Sequence, residues 1–151
     1  HLQKTMSEIN QAHPDVCAVI SVNKGLVTQA SAAIPVVPLY FAILYKVMKK
    51  AGNHEKCIQQ IARLFTQKLY TPTGFQTDEN GFIRMDDYEL TPKIQEEVKK
   101  CWKAVTTDTV KEYCDIDGYW EDFYHMFGFR YEDIDYTQDV DADIEIDGVV
   151  M

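Results

Sequence analysis

The feature that most constrains the fold is a continuous run of small and β-branched residues at 16–22, which reads VCAVISV. A run of this kind, without alternation of apolar and polar residues, is typical of a strand buried on both faces of a parallel sheet. An amphipathic helix at 2–11 precedes it, and His13-Pro14-Asp15 ends that helix. The order of helix, tight turn and buried strand predicts half of a βαβ unit in an α/β fold.

A segment rich in small residues and hydroxyl groups, 23–34, follows the predicted strand and ends before Pro35. Ligands of open α/β sheets bind beyond the carboxyl ends of the strands, which is where this segment lies. Thr28 and Ser31 offer hydroxyl groups to a phosphate or an amide. A helix start that packs closely on the sheet explains the same composition, so the sequence alone leaves both interpretations open.

Helical periodicity predicts most of the remaining chain. The expected helices cover 35–51, 54–70 and 93–105, with shorter ones between 106 and 128 and a break near 115–118. Asn53 is expected to cap the second of these helices. Between the second and third, Asp78-Glu79-Asn80-Gly81 is a turn signal that predicts a hairpin, or two short strands, across 75–86.

The charge of the chain is concentrated at its C-terminal end. The formal net charge is −9, and residues 132–151 hold eight acidic residues and no Lys or Arg. Residues 1–131 are near neutral, with 16 acidic and 15 basic residues, so nothing provides the basic field of a general nucleic-acid binder. The longest apolar stretch, 32–45, is too short to span a bilayer, and we expect no membrane partner.

Four cysteines, Cys17, Cys57, Cys101 and Cys114, lack the spacing of metal ligands. We therefore expect no metal site and interpret them as the reduced thiols of a cytoplasmic protein. The acidic cluster Asp86, Asp87 and Glu89 is interpreted as a solvated strand end, and His54 and His125 as structural residues.

Residues 21–40 read SVNKGLVTQASAAIPVVPLY, and further along the chain come LYKVMK at 44–49, GNHE at 52–55, RMDDYE at 84–89 and FGF at 127–129. These stretches closely resemble the C-terminal part of the trans-2-enoyl-CoA reductases. That family includes the type-V NADH-dependent enoyl-acyl-carrier-protein reductases. The resemblance extends from about His1 to Asp141, nearly the whole chain.

The resemblance implies an α/β fold, the C-terminal part of a Rossmann-type fold like that of the short-chain reductases. That part is mostly helical, with one or two buried parallel strands and a short hairpin. Residues 1–131 would form the C-terminal portion of the catalytic domain, and 132–151 an acidic tail. Members of the family use NADH to reduce the C2–C3 double bond of a trans-2-enoyl thioester in fatty acid synthesis. Hydride adds at C3, and the enolate that develops at the thioester oxygen is stabilised and protonated.

The family pattern places a tyrosine and a lysine, eight residues apart, around that step. Both would precede His1, as would the glycine-rich nucleotide loop, so the resemblance assigns no catalytic residue to this chain. Lys24 is not the family lysine and is expected at the surface or capping the backbone. The chain alone is expected to be inactive, and to aggregate or form oligomers without the missing N-terminal half of the same enzyme.

By position, the resemblance assigns Leu26, Val27 and Thr28 to the nicotinamide end of NADH. It assigns the helix from Ala30 to about Tyr45 to the acyl pocket, for which apolar walls are needed. The candidate wall residues are Ile34, Val37, Leu39 and Tyr40. A purely structural role in the core explains these four side chains equally well. The substrate carrier, coenzyme A or acyl-carrier protein, is left open.

A second hypothesis is a non-catalytic helical interaction module that retains the fold of such a reductase. The agreement around Thr28 in the nicotinamide-facing loop favours the enzyme, because a scaffold has no physical need for that residue. The sequence upstream of His1 separates the two hypotheses, since only the enzyme requires the tyrosine–lysine pair and the nucleotide loop there.

Overall fold

The computed structural model describes residues 1–139, so the end of the expected acidic tail, 140–151, lies outside the described residues. The described range contains two short strands and seven α-helices. In chain order they are α1 (Leu2–Ala12), β1 (Ile20–Val22), α2 (Gln29–Ala33), α3 (Val37–Ala51), α4 (Cys57–Arg63), β2 (Phe82–Arg84), α5 (Pro92–Ala104), α6 (Val110–Tyr113) and α7 (Ile116–Met126). Helix α4 continues into a π-helical turn, Leu64–Leu69.

The strands β1 and β2 are parallel neighbours, with Ser21 opposite Ile83. The expected hairpin is wrong, because no strand forms at 75–77 in the described chain. The turn itself is present: the Asp78 carboxylate accepts hydrogen bonds from the amides of Asn80 and Phe82, at 2.9 and 3.0 Å. It begins β2 and does not connect two antiparallel strands.

The strand expected at 16–22 is also shorter than its apolar run, since only Ile20–Val22 is extended and paired. These three residues are half-buried and not buried on both faces. The physical reason is that β2 is their single neighbour strand among residues 1–139, and it offers only three pairing positions. The prediction of a parallel strand is confirmed, whereas its length and burial were overestimated.

Helix α3 forms the centre of the core. Its buried residues are Phe41, Ala42, Ile43, Leu44, Tyr45, Val47 and Met48. Ile94 and Val98 of α5 and Tyr119 of α7 belong to the same buried cluster. At its end, Gly52 adopts a left-handed φ of 75° and donates to the carbonyls of Met48 and Lys49, as expected of a glycine that stops a helix.

The helix expected to begin at residue 35 begins at Val37. Val36 has a φ of 74°, in the left-handed region that a β-branched residue rarely adopts, and it separates α2 from α3. Pro35 contributes to the break, since a proline disfavours the helical conformation of the residue before it. The sequence pattern showed the proline but not the left-handed residue after it.

Arg63 joins α4 to the segment that follows β2. Its guanidinium, which is 5% exposed, donates to Glu55 at 2.7 Å and to Asp87 at 2.9 Å. It also donates to the Met85 carbonyl at 2.8 Å and lies 4.1 Å from the centre of the Tyr88 ring. The start of α4 is set by Lys56 and not by Asn53, which was expected to cap it.

Helix α7 begins one residue after Asp115, whose carboxylate accepts from the Gly118 amide at 3.0 Å and pairs with Lys49 at 2.6 Å. The expected break near 115–118 therefore falls at 114–115, just before the helix. Beyond Met126 the described chain has no helix or strand. In the described range, each helix is too short or too polar to cross a bilayer.

We predict that Arg63→Ala destabilises the protein by about 3 kcal/mol, because it leaves the largely buried Glu55 without its cation and takes one of two cations from Asp87, which keeps Lys68. Urea denaturation of the complete protein with and without the substitution measures the loss. The control is Lys100→Ala, which removes an exposed pair with Glu97 and is expected to cost less than about 1 kcal/mol. Equal losses for the two variants would contradict the role given to Arg63.

Candidate nicotinamide-facing site

The segment after β1 forms a loop, 23–28, that packs against α3 and is hydrogen-bonded to it. The Val27 amide donates to the Tyr45 hydroxyl at 3.0 Å, a hydrogen bond that is fully buried. Gly25 lies against Phe41 so closely that an added Cβ would sit 2.6 Å from the ring. Glycine is therefore required by the close approach of loop and helix, since the buried ring has little room to yield.

Several backbone groups of this loop make no hydrogen bond among residues 1–139. The Leu26 amide and the Val27 carbonyl are two of them, and the amides and carbonyls of Asn23 and Lys24 are the others. A backbone donor and a backbone acceptor are the group types that bind a primary carboxamide. Leu26 is half-buried, whereas Val27 is buried with 7% of its surface exposed.

Thr28 and Ser31 form a capping box at the start of α2. The Ser31 amide donates to the Thr28 hydroxyl oxygen at 3.0 Å, and the Thr28 amide donates to the Ser31 hydroxyl oxygen at 2.8 Å. The interpretation as a helix start is therefore confirmed for both hydroxyls. Thr28 is nonetheless exposed. Among the described residues its hydroxyl oxygen accepts only the bond from Ser31, so it has a further lone pair for a ligand.

Lys24 is buried, with 2% of its surface exposed, and the expectation of a surface position is wrong. Its ammonium nitrogen donates to the Gly25 carbonyl at 3.0 Å and lies 4.8 Å from the centre of the Tyr45 ring. Burial lowers the pKa of Lys24 to about 8, although the charges of Glu89, Asp122 and Glu55 oppose the shift. The second expectation, a contact that caps the backbone, agrees with the bond to Gly25.

Glu89 provides a second connection between the loop and α3. One carboxylate oxygen accepts from the Gly25 amide at 2.6 Å, and the other accepts from the Tyr40 hydroxyl, also at 2.6 Å. Burial raises the pKa of Tyr40 to about 12, with a further contribution from the hydrogen bond to Glu89. Tyr40 is therefore a protonated donor throughout the neutral range.

The four candidate acyl-wall residues do not lie in one place. Tyr40 lines an open groove of about 550 Å³ between α3 and α5, together with Val98 and Trp102. Val37 and Leu39 pack against the core cluster, as the structural interpretation predicts. Ile34 is 52% exposed in the connection between α2 and α3. Of the four, Tyr40 is the residue that lines this groove.

The acidic cluster after β2 is not the solvated strand end that was expected. Asp86 and Glu89 are buried, and Asp87 is half-buried between Arg63 and Lys68. Arg84 pairs with Asp86. Each of these carboxylates is thus occupied by a cation or a hydrogen-bond donor, and no group of three metal-binding side chains occurs in the described range.

Of the candidate histidines, His125 lies in α7 and His54 lies next to it. His54 is in the connection between α3 and α4, where its ring packs edge-on against Tyr45 at 4.5 Å. Its Nε2 atom lies 3.5 Å from the Asp122 carboxylate. His125 stacks on Tyr131 at 4.4 Å. Both are held by packing within the chain, in agreement with a structural role.

Sequence reasoning missed three residues that shape this site: Gly25, Tyr45 and Glu89. The available signal was their place inside the quoted matches, GLVT, LYKVMK and RMDDYE. Local pattern could not pair them, because Glu89 is 64 residues from Gly25 along the chain.

Comparison with known proteins agrees with the resemblance. The sequence-family model described as the trans-2-enoyl-CoA reductase catalytic region matches residues 1–70. A second family model, described as the enoyl reductase FAD binding domain, matches residues 77–140. An enoyl-[acyl-carrier-protein] reductase [NADH] of Flavobacterium psychrophilum is 45% identical over 99% of this chain. A trans-2-enoyl-CoA reductase [NADH] of Ruminiclostridium cellulolyticum is 48% identical over 87% of it.

The fold agrees as well. A crystal structure of Treponema denticola trans-2-enoyl-CoA reductase in complex with NAD superposes with a TM-score of 0.85 and 46% identity, over 93% of this chain. The match covers 35% of that structure. This chain likewise spans 38% of the Flavobacterium relative and 33% of the Ruminiclostridium relative.

In chemical type, the groups of this loop are compatible with the nicotinamide end of NADH. The Leu26 amide and the Val27 carbonyl are a donor and an acceptor without a partner among residues 1–139, and Thr28 is an exposed hydroxyl residue. In the second matched segment, Gly118 does not form a phosphate cradle of the kind that a flavin dinucleotide uses. Gly118 opens α7, but its amide is taken by Asp115, and an added Cβ would meet Asp115 and Lys49, so this glycine serves the cap and no phosphate cradle.

We predict that Lys24 makes the stability of the chain rise with pH between about 8 and 10. In this window the unfolded chain keeps the lysine proton, with an ordinary pKa of 10.5, whereas the folded chain releases it near pH 8. The unfolded state then binds more protons, and the free energy of unfolding increases by up to about 1.4 kcal/mol per pH unit.

Urea denaturation of the complete protein and of its Lys24→Met variant between pH 7 and 10 measures this contribution as the difference between the two curves. Above pH 10, tyrosine ionisation acts in the opposite direction, because burial raises the pKa of both Tyr40 and Tyr45 in the folded state. Parallel curves for the two proteins between pH 8 and 10 would show that Lys24 is not responsible.

Proposed function

The chain belongs to the trans-2-enoyl-CoA reductase family, and we propose on this basis that it is the C-terminal part of an NADH-dependent reductase of trans-2-enoyl thioesters. The observation that carries the proposal is the nicotinamide-facing loop. It combines unpartnered polar groups at Leu26 and Val27 with rigid anchoring by Tyr45. Identities of 45% and 48% to two NADH reductases support the same reaction and cofactor.

NADH, when bound, supplies the hydride that adds to C3 of the enoyl thioester. The contribution of this chain is to orient the nicotinamide. The Leu26 amide and the Val27 carbonyl hold the carboxamide, and the Thr28 hydroxyl adds a polar contact beside them. Because the Val27 amide is bonded to Tyr45, the loop is fixed before the cofactor arrives and little ordering is needed on binding.

The acyl chain of the substrate meets helix α3 and the connection before it. We assign Ile34, Val37, Leu39 and Tyr40 to its binding, as the resemblance implies. Ile34 is exposed and Tyr40 lines the groove toward α5, so both have surface available for a ligand. Val37 and Leu39 contribute through the position of the helix, since both pack against the core.

The remaining partners follow from the length of the relatives. The chain spans 38% of the Flavobacterium reductase, and the rest of the same enzyme is the partner that provides the catalytic tyrosine and lysine. The thioester is carried by coenzyme A or by acyl-carrier protein, the two carriers named for the relatives. A cytoplasmic location is supported by four cysteines that are all free thiols.

We predict that the complete protein oxidises NADH in the presence of crotonyl-CoA, whereas residues 1–151 alone do not. The separate chain has the nicotinamide-facing loop but not the groups that stabilise and protonate the enolate. Loss of NADH absorbance measures both reactions. A complete protein that binds NADH but shows no loss dependent on crotonyl-CoA would contradict the proposed reaction.

We also predict that residues 1–151, produced alone, form oligomers or aggregate. Large apolar side chains are exposed on several elements, among them Ile58 and Tyr70 near α4 and Phe129 after α7. A large amount of exposed apolar surface promotes association in water. Light scattering during size-exclusion chromatography measures the state, and a monodisperse monomer that melts cooperatively would contradict the prediction.

A further inference from the structure

We propose that Glu89 is a positioning residue that sets the nicotinamide-facing loop and the acyl-facing helix α3 at a fixed distance from each other. The inference rests on the proposed function, since it concerns how the two binding elements of that reaction are aligned. Glu89 follows β2 and belongs to neither element, so it acts on both from outside.

The geometry of the carboxylate carries the proposal. Its two oxygens are used separately, one by the Gly25 amide and one by the Tyr40 hydroxyl, each at 2.6 Å. Gly25 directly precedes Leu26, and Tyr40 is the residue of α3 that lines the groove. A shift of Glu89 therefore moves the cofactor loop and the groove wall together. Such short bonds to a carboxylate are about twice as strong as neutral ones.

The position of Glu89 is itself fixed. The residue is 8% exposed, and its backbone carbonyl accepts from the Gln95 side chain on α5 at 2.9 Å. Among residues 1–139 it forms no ion pair, in contrast to its neighbours Asp86 and Asp87, which bind arginine or lysine. The buried lysine Lys24, adjacent to Gly25, supplies the nearby positive charge without a direct contact.

Other contacts hold the loop but do not replace this bridge. Tyr45 accepts from the Val27 amide and fixes the loop to the middle of α3. Within residues 1–139, the Lys24 ammonium group donates a hydrogen bond only to the Gly25 carbonyl. Glu89 alone, in the described chain, accepts hydrogen bonds from both the loop and Tyr40. Its removal should loosen the alignment of the two elements without opening the core beneath them.

The test uses the complete protein with Glu89→Ala, Glu89→Gln and Tyr40→Phe. Glu79→Ala is the matched control, since Glu79 is an exposed glutamate in the turn before β2. Calorimetric titration measures the Kd for NADH, and initial rates give kcat and the KM values for NADH and crotonyl-CoA. Melting temperatures of all variants are recorded in parallel.

We expect Glu89→Ala to raise the Kd for NADH and the KM for crotonyl-CoA together, each by about tenfold, the effect of losing a charged hydrogen bond. Glu89→Gln keeps an acceptor for the Gly25 amide and should recover most of the NADH affinity. Tyr40→Phe should raise the KM for crotonyl-CoA more than the Kd for NADH. Glu79→Ala should match the wild type in all of these values.

A purely structural role gives a different result: Glu89→Ala then lowers the melting temperature and the active fraction but leaves the Kd and KM of the folded protein unchanged. That outcome overturns the proposal, and if Glu89→Ala does not fold, an unchanged KM for crotonyl-CoA in Tyr40→Phe does the same. If the wild type binds NADH but does not turn over crotonyl-CoA, the proposed reaction fails while the titrations still decide the role of Glu89. A wild type that binds no NADH overturns both.

Discussion

The middle of helix α3 is almost completely buried, and a hydrogen bond from the Val27 amide to the Tyr45 hydroxyl attaches the loop at 23–28 to this part of the core. Tyr45 is among the largest fully buried side chains, so its hydroxyl has a fixed position. A loop bonded to such a side chain is held in place by the core. The proposed cofactor site depends on this anchoring, because it would align the polar groups at Leu26 and Val27 before the cofactor binds.

Two charged side chains are buried beside the proposed site. Lys24, which belongs to the loop, is buried, and burial lowers its pKa to about 8 even though three carboxylates oppose the shift. Glu89 is buried opposite it and bonds to uncharged donors. A buried polar network of this kind is costly unless each member has a partner, and it then favours one arrangement of the chain. The cost is consistent with a site in which alignment matters more than stability.

Much of the fold could be predicted from local pattern. Periodicity placed the helices that became α3 and α5, and the run at 16–22 placed β1, because both signals depend on neighbouring residues. The hairpin failed because Asp78-Glu79-Asn80-Gly81 specifies a turn but not the direction of the strand before it. The burial of Lys24 and Glu89 could not be predicted, since their partners lie across the fold. Recognition of the family located the loop, whereas only the structure showed what holds it.

The central claim, that the loop at 25–28 holds the nicotinamide, is tested most directly by amide hydrogen exchange of the complete protein with and without NADH. Without cofactor, the Leu26 amide has no described partner and should exchange quickly, whereas the Val27 amide is bonded to Tyr45 and should exchange slowly. Addition of NADH should slow exchange at Leu26 and leave Val27 slow. Unchanged exchange at Leu26 in NADH-saturated protein would contradict the account.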